Sequence, residues 1–309
     1  MRYNFSFFAV AISASVMLSP PGFARTLQVG ETRELKAPSD AALLANDGDT
    51  VLIDQGQYID CAIWRANHLT IEGEGNVTVR DRVCQDKAIF VISGSDVTVR
   101  GIEFAHARST SKNGAGIRGE GTNLTVENSR FIDNEDGILT GPNRKSRIVI
   151  RNSVFTGNGK CASDCAHGIY IGQIGSLEVS HSTFFQQHTG HHIKSRALRT
   201  EIVDNSIMDG GSGTASYEVD IPDGGSLILR NNMIEKGPGA GNQTAVSIGE
   251  ESNDNPTSDV LIGHNTFVND SSARATFVRN KTPTHAQLTS NVTHGQVKLL
   301  TGPGEISVN

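Results

Sequence analysis

Several things are scarce in this chain, and each scarcity closes off a class of protein. Aromatic residues are only 6% of the 309 residues, the formal net charge is −6, and lysine and arginine never form a run. A nucleic-acid groove built from basic patches and stacking rings is therefore not expected. Beyond the first two dozen residues, no apolar stretch approaches the roughly 20 residues that a membrane-spanning helix needs. There are four cysteines, and no C-x-x-C pair or histidine partner stands at zinc spacing. Proline is sparse at 9 residues while glycine reaches 33. That imbalance points to many tight turns between short strands rather than to disorder.

The N-terminus sets the compartment. Arg2 supplies a positive start, Phe5 to Leu18 form an apolar run, and Pro20, Pro21 and Gly22 break it before the small residue Ala24. Residues 1–24 are read as a cleaved secretory signal, leaving residues 25–309 as one secreted or periplasmic domain with no membrane span, expected to be a monomer. An oxidising compartment suits the cysteines. Cys61 can meet Cys84 across one coil and Cys161 can close a small loop with Cys165, but four cysteines allow three pairings and spacing does not choose.

The chain repeats. Val97-Thr98-Val99-Arg100, Leu124-Thr125-Val126-Glu127, Ile148-Val149-Ile150-Arg151, Leu177-Glu178-Val179-Ser180 and Leu227-Ile228-Leu229-Arg230 share one alternating pattern. Asn128, Asn152, His181, Asn205, Asn231 and His264 follow such segments, and a large apolar residue stands three positions beyond each: Phe131, Phe155, Phe184, Met208, Ile234 and Phe267. The spacing, in steps of 24, 29, 24, 26 and 33 residues, is that of a repeat whose unit cannot bury its own apolar face. The frame of leucine-rich repeats is missing, and the segments are short β-runs split by Asn, Gly and Asp. Runs in one column must lie parallel. The expectation is an all-β, single-stranded right-handed parallel β-helix of about nine or ten coils. A short capping helix near Ser39–Ala45 should cover the first coil, and the pattern should weaken after about Thr282.

The opening Pro38-Ser39-Asp40-Ala41-Ala42, Asn46-Asp47-Gly48-Asp49-Thr50-Val51 and Gly56-Gln57-Tyr58, followed by these coils, resembles the pectin-lyase-like superfamily of β-helix proteins over nearly all of the mature chain. The resemblance implies the fold. It leaves the activity open, because that fold hosts lyases, hydrolases, esterases, epimerases, adhesins and phage spikes.

A second β column carries the candidate site. Ile117, Ile138, Ile169, Ile193, Val219 and Val246 align and should point inward, so Tyr170, then His192, Lys194 and Arg196, then Glu218 and Asp220 should point outward on three adjacent rungs. Arg196 and Lys194 suit a carboxylate, and Tyr170, His192 or Lys194 can move a proton. His167 and Asp136 precede the same column and are added as a further catalytic and a binding candidate. His191 is read as a turn residue. No cofactor is required on this reading. Glu218 and Asp220 are the ligand pair if Ca²⁺ binds.

In β-helix lyases that cleave uronic-acid polymers, a cation neutralises the substrate carboxylate, a base removes the C5 proton, and the 4-linked oxygen leaves. The resemblance assigns Lys194 as base, Arg196 or His192 as neutraliser and Tyr170 as acid, with an acidic polysaccharide as substrate. C5-epimerases share the first half of that chemistry. Asn134-Glu135-Asp136-Gly137, His167-Gly168-Ile169-Tyr170-Ile171-Gly172 and His192-Ile193-Lys194-Ser195 are similar to polygalacturonase motifs and occur in the same order. The rung bearing that family's Asp-Asp pair holds only Asp164 here, so hydrolysis ranks below elimination. A non-catalytic polysaccharide-binding β-helix is the remaining alternative.

Overall fold

The computed structural model describes Met1, residues 24–160 and residues 165–307. The signal segment, the Cys161–Cys165 loop and Asp164 fall wholly or partly outside those residues. Apart from one short helix, the described chain is a solenoid of about ten turns, with parallel pairing between successive rungs. Each complete coil lays one strand in each of three columns. Two columns are joined into a 20-stranded sheet, because Thr70–Arg80 and Val97–Ala105 run unbroken around a bend from one into the other. The third column, from Ala62–Trp64 to Val297–Thr301, is a separate 10-stranded sheet.

The interior follows the repeat. Trp64, Phe90, Phe104, Phe131, Phe155 and Phe184 form one continuous run of ring contacts with centroids 4.5 to 5.3 Å apart, edge-on from Trp64 to Phe104 and stacked from Phe104 to Phe184. Such pairs add about 0.5–1.5 kcal/mol each beyond the area they bury. Trp64 and Phe90 belong to the 10-stranded sheet, whereas Phe104, Phe131, Phe155 and Phe184 share one column of the other, which continues through Ile207, Ile234 and Phe267. Met208 therefore does not follow Phe184 in that column, as spacing from Asn205 suggested; it pairs with Phe185. The turn residue on that rung is Asp204, which has positive φ like Asn128, Asn152, His181, Asn231 and His264. Asn, Asp and His reach that left-handed region more readily than other side chains. Asn205 points inward instead and joins a polar ladder. Its backbone N–H donates to Asn232 Oδ1 at 2.9 Å, that of Asn232 to Asn265 Oδ1 at 2.9 Å, and that of Asn265 to Asn291 Oδ1 at 3.0 Å. The ladder satisfies backbone donors that the bend would leave unpaired.

The capping helix spans Pro38–Leu44, beginning one residue before the sequence estimate. Proline is favoured at the first helical turn, and Asp40 sits inside the helix, where its carboxylate accepts the backbone N–H of Ala37 at 3.0 Å. The Cys61–Cys84 disulfide is present. Beyond Thr282 the parallel columns continue through Ala286–Thr289, Val292–His294, Val297–Thr301 and Gly304–Ser307, while the apolar pattern weakens, the last three strands holding no fully buried side chain.

Candidate active site

The 10-stranded sheet positions the site. Its register aligns Ile117, Ile138, Ile169, Ile193, Val219 and Val246, all fully buried, and beside them Tyr170, Lys194, Asp220 and Ser247 on the opposite face. One position further toward the N-terminal end of each strand, simple alternation fails. His192 and Glu218 should share a face with Lys194 and Asp220. Instead His192 is 1% exposed with Nε2 3.2 Å from Asp209 Oδ1, and Glu218 is 0% exposed with both carboxylate oxygens 3.2 Å from Lys236 Nζ.

The cause is visible on the preceding rungs. Gly116 and Gly137 occupy this position, where an added Cβ would come within 2.7 Å of Phe131 and 2.8 Å of Phe155. The position therefore faces the core, and only beyond the ring stack is there room for larger side chains. Two consecutive residues thus point inward, and the one before them turns out. That is how His191 and Tyr217, paired across rungs, reach the outer surface beside His167.

His191 was read as a turn residue. It lines the groove described below, whereas His192 and Glu218 are buried away from it. Glu218 and Asp220 consequently share no cation site. Lys236 holds Glu218 inside, and Asp220 faces His191 Nε2 and Lys194 Nζ, each 3.5 Å from its Oδ2. Neither environment fits Ca²⁺, which wants six to eight oxygens. Asp209, His192 and Glu218 bring ligand atoms within 4.8 Å of one another, but the Lys236 ammonium already supplies the counter-charge there.

Asp136, His167, Tyr170, His191, Lys194 and Arg196 line a groove of about 870 Å³. Lys194 Nζ donates to Glu251 Oε1 at 2.7 Å, and Arg196 Nε donates to Tyr170 Oη at 2.9 Å. Arg196 also forms ion pairs with Asp223 and with Glu251. Glu251 stands on the loop after Thr244–Ile248, fixed where its backbone N–H and that of Ser252 donate to the Pro222 carbonyl at 2.9 and 3.0 Å. Burial would raise the Glu251 carboxyl, but hydrogen bonds from Lys194 and Arg196 outweigh it and hold the group below its ordinary range. Asp220 lies beneath this layer. Burial, against the pull of Lys194, pushes it up to about 7, and its Oδ1 has no hydrogen-bond partner among the described residues.

The upper wall is built by side chains reading the backbone one rung on. Asp136 Oδ1 accepts the N–H of His167 at 2.7 Å, His167 Nδ1 that of His191 at 3.0 Å, and His191 Nδ1 that of Tyr217 at 3.1 Å. The rings of His167, His191 and Tyr217 stack 4.8 and 4.9 Å apart. Burial pushes Asp136 up to about 8. Burial, then the charges of Lys194 and Arg196, lowers His167 to about 3; burial, then His167 and Lys194, lowers His191 well below its ordinary value.

Of the residues singled out from sequence, Tyr170, Lys194, Arg196, His167 and Asp136 meet in the groove, and Asp220 underlies it. Sequence reasoning missed His191, Asp223 and Glu251. A signal existed for Glu251, since the step of 33 residues between Asn231 and His264 is the longest in the repeat, and long excursions from a rigid scaffold tend to carry function.

The molecule is a right-handed parallel β-helix. The family described as a right handed beta helix region matches residues 34–167. An alginate lyase from Paenibacillus is similar with a TM-score of 0.58 and 15% identity, over 91% of this chain and 99% of that one. The A-module of a mannuronan C-5 epimerase from Azotobacter vinelandii has a TM-score of 0.49 and 14% identity, over 87% of this chain and 93% of that one. A pectin methylesterase from Erwinia chrysanthemi has 0.43 and 10%, over 91% and 81%. At these identities the likeness is one of fold. Among curated proteins no sequence matches the chain.

Proposed function

We propose that the protein is an exported enzyme that cleaves an acidic, uronic-acid-containing polysaccharide by β-elimination, as a monomer and without a required metal. One observation carries the reading: the groove already binds a carboxylate. Glu251 is gripped by Lys194 and Arg196 together, directly beside Tyr170, which is the arrangement a uronate carboxyl group needs. Arg118 lines the same groove three rungs from Lys194, or roughly 14 Å at the usual strand spacing. A second cation at that distance favours a polymer lying along the groove over a single sugar. The fold of an alginate lyase and the oxidising compartment implied by the Cys61–Cys84 bond agree with it.

Substrate displaces Glu251, and its carboxylate is neutralised by Arg196, which makes the C5 hydrogen acidic. Displacement of Glu251 removes the carboxylate that pairs with the Lys194 ammonium; Lys194, beside the Arg196 guanidinium, gives one proton to solvent, and its neutral amine then takes the C5 proton. The electron pair forms the C4–C5 double bond, and the C4–O4 bond breaks. Tyr170 accepts from Arg196 at its oxygen and so keeps its own O–H free to donate to the departing oxygen. Solvent then returns both groups to their starting state. The test is a panel of acidic polysaccharides, read by ultraviolet absorbance of the unsaturated product together with reducing ends. Lys194→Ala should lower the rate by at least about a hundredfold, the usual contribution of a positioned base. Reducing ends without absorbance would show a hydrolase, and isomerised uronate without shortening an epimerase. Binding without either would leave a polysaccharide-binding protein.

A further inference from the structure

We infer that His167 and His191 are a pair of neutral imidazole donors that present Nε2–H to the groove and stabilise negative charge developing on the bound substrate. The chemical half of this inference rests on the elimination reading; the structural half does not. An imidazole nitrogen that accepts a backbone N–H must offer a lone pair, so it carries no hydrogen. Both rings accept through Nδ1, from His191 N–H at 3.0 Å and from Tyr217 N–H at 3.1 Å, and their single proton therefore lies on Nε2.

Charging either ring would put a hydrogen on Nδ1 facing a buried amide hydrogen, breaking a rung-to-rung hydrogen bond. Burial and Lys194 oppose that charge at both rings as well, joined by Arg196 at His167. Neither ring can then act as a base, because one nitrogen is spoken for and the other is already protonated. What remains is donation. His191 Nε2 stands 3.5 Å from Asp220 Oδ2, too long for a good hydrogen bond, so its hydrogen is available to a ligand.

Loss of the C5 proton spreads charge onto the uronate carboxyl oxygens as the enolate forms. Neutral N–H donors fixed in a water-poor wall suit that charge, since they need no reorganisation when it appears. Neutral imidazoles are known in this electrophilic role. His167 thus changes from a catalytic candidate without a stated role to a donor, and His191, read from the sequence as a turn residue, joins it.

The experiment uses the mature chain labelled with ¹⁵N in histidine. Between about pH 5 and about 8, where an ordinary histidine titrates, the ring nitrogens of His167 and His191 should keep the neutral Nε2–H pattern. An imidazolium or Nδ1–H pattern at either residue overturns the inference. Adding galacturonate, glucuronate or mannuronate oligomers should shift the Nε2–H signals; no shift with an oligomer that demonstrably binds also overturns it. His191→Phe keeps a ring in the stack and removes the donor, so kcat should fall about a hundredfold or more with KM little changed, and His191→Gln should recover part of the loss. An unchanged kcat in His191→Phe sinks the donor role. Should the wild-type chain cleave no acidic polymer, the elimination reading falls, while the tautomer and the ligand-induced shift still decide the donor pair.

Discussion

Glu251 occupies the spot where an acidic ligand's carboxylate must go, and it is held there by two cations on a loop that contributes nothing to the aromatic core. Binding therefore exchanges one carboxylate for another, and the affinity observed is a difference between two similar interactions. Glu251→Gln keeps the shape and removes the charge. Because the side chain is half exposed, little stability should be lost. Acidic oligomers should bind about five- to tenfold more tightly, or roughly 1–1.4 kcal/mol, as read by calorimetry at fixed salt. Unchanged or weaker binding would show that Glu251 cooperates with the ligand instead of competing. Lys194, Arg196 and Tyr170 were legible in the sequence because cationic residues two apart, on a strand with an aliphatic partner, have few other uses. Glu251 was not, since a loop's return path depends on its anchoring at Pro222 and at Asn255, whose backbone N–H donates to the Asp223 carbonyl at 3.0 Å, which no strand period encodes.

The strands were legible through period two, and the same rule misplaced His192 and Glu218. Alternation holds only while the backbone stays a regular strand. At the corner before the aliphatic column, two residues in succession point inward, and the glycines of earlier rungs, with no side chain, gave no hint of direction. The price is a buried cluster of His192, Asp209, Glu218 and Lys236. Burial pushes the Glu218 carboxyl well up, against the pull of Lys236, so the pair depends on both members being present. Lys236→Met leaves Glu218 without its counter-charge and should destabilise the fold by about 3–5 kcal/mol, whereas adding Glu218→Leu should recover most of that loss, because replacing both partners of a buried pair is often nearly neutral. Denaturant unfolding of the single and double variants measures the coupling. A double variant no better than the single would mean that the cluster's hydrogen bonds to the Ser216 carbonyl and to Asp209, not its charges, hold the corner.

For the molecule as a whole, the sequence carried the architecture because a solenoid writes its fold into every repeat: six independent copies of one apolar position, Ile117 to Val246, had to agree. No such redundancy exists for the groove, whose electrostatics follow from how deeply each group is covered. Those buried groups also fix how stability varies with pH. Asp136 and Asp220 titrate at about 8 and about 7 when folded, far above their unfolded values near 3.9. Their contribution is full below about pH 4 and is lost as pH rises to 7 and then 8. His167, lowered to about 3, has the opposite sign: its contribution is full above the unfolded value near 6.5 and is lost as pH falls, and His191 acts in the same direction. Between about pH 4 and 6.5 the two sets oppose one another. Above that only the carboxyl groups still change, so thermal stability should decline from about pH 6.5 to 8, at a slope near 1.4 kcal/mol per pH unit for each titrating group. Asp136→Asn keeps the acceptor for the His167 N–H and cannot ionise. It should flatten the upper part of that decline, and melting temperatures of the two proteins across this range give the answer. A wild-type profile that rises toward pH 8, or a variant with the same slope as wild type, would show that Asp136 is already ionised in the folded protein at neutral pH.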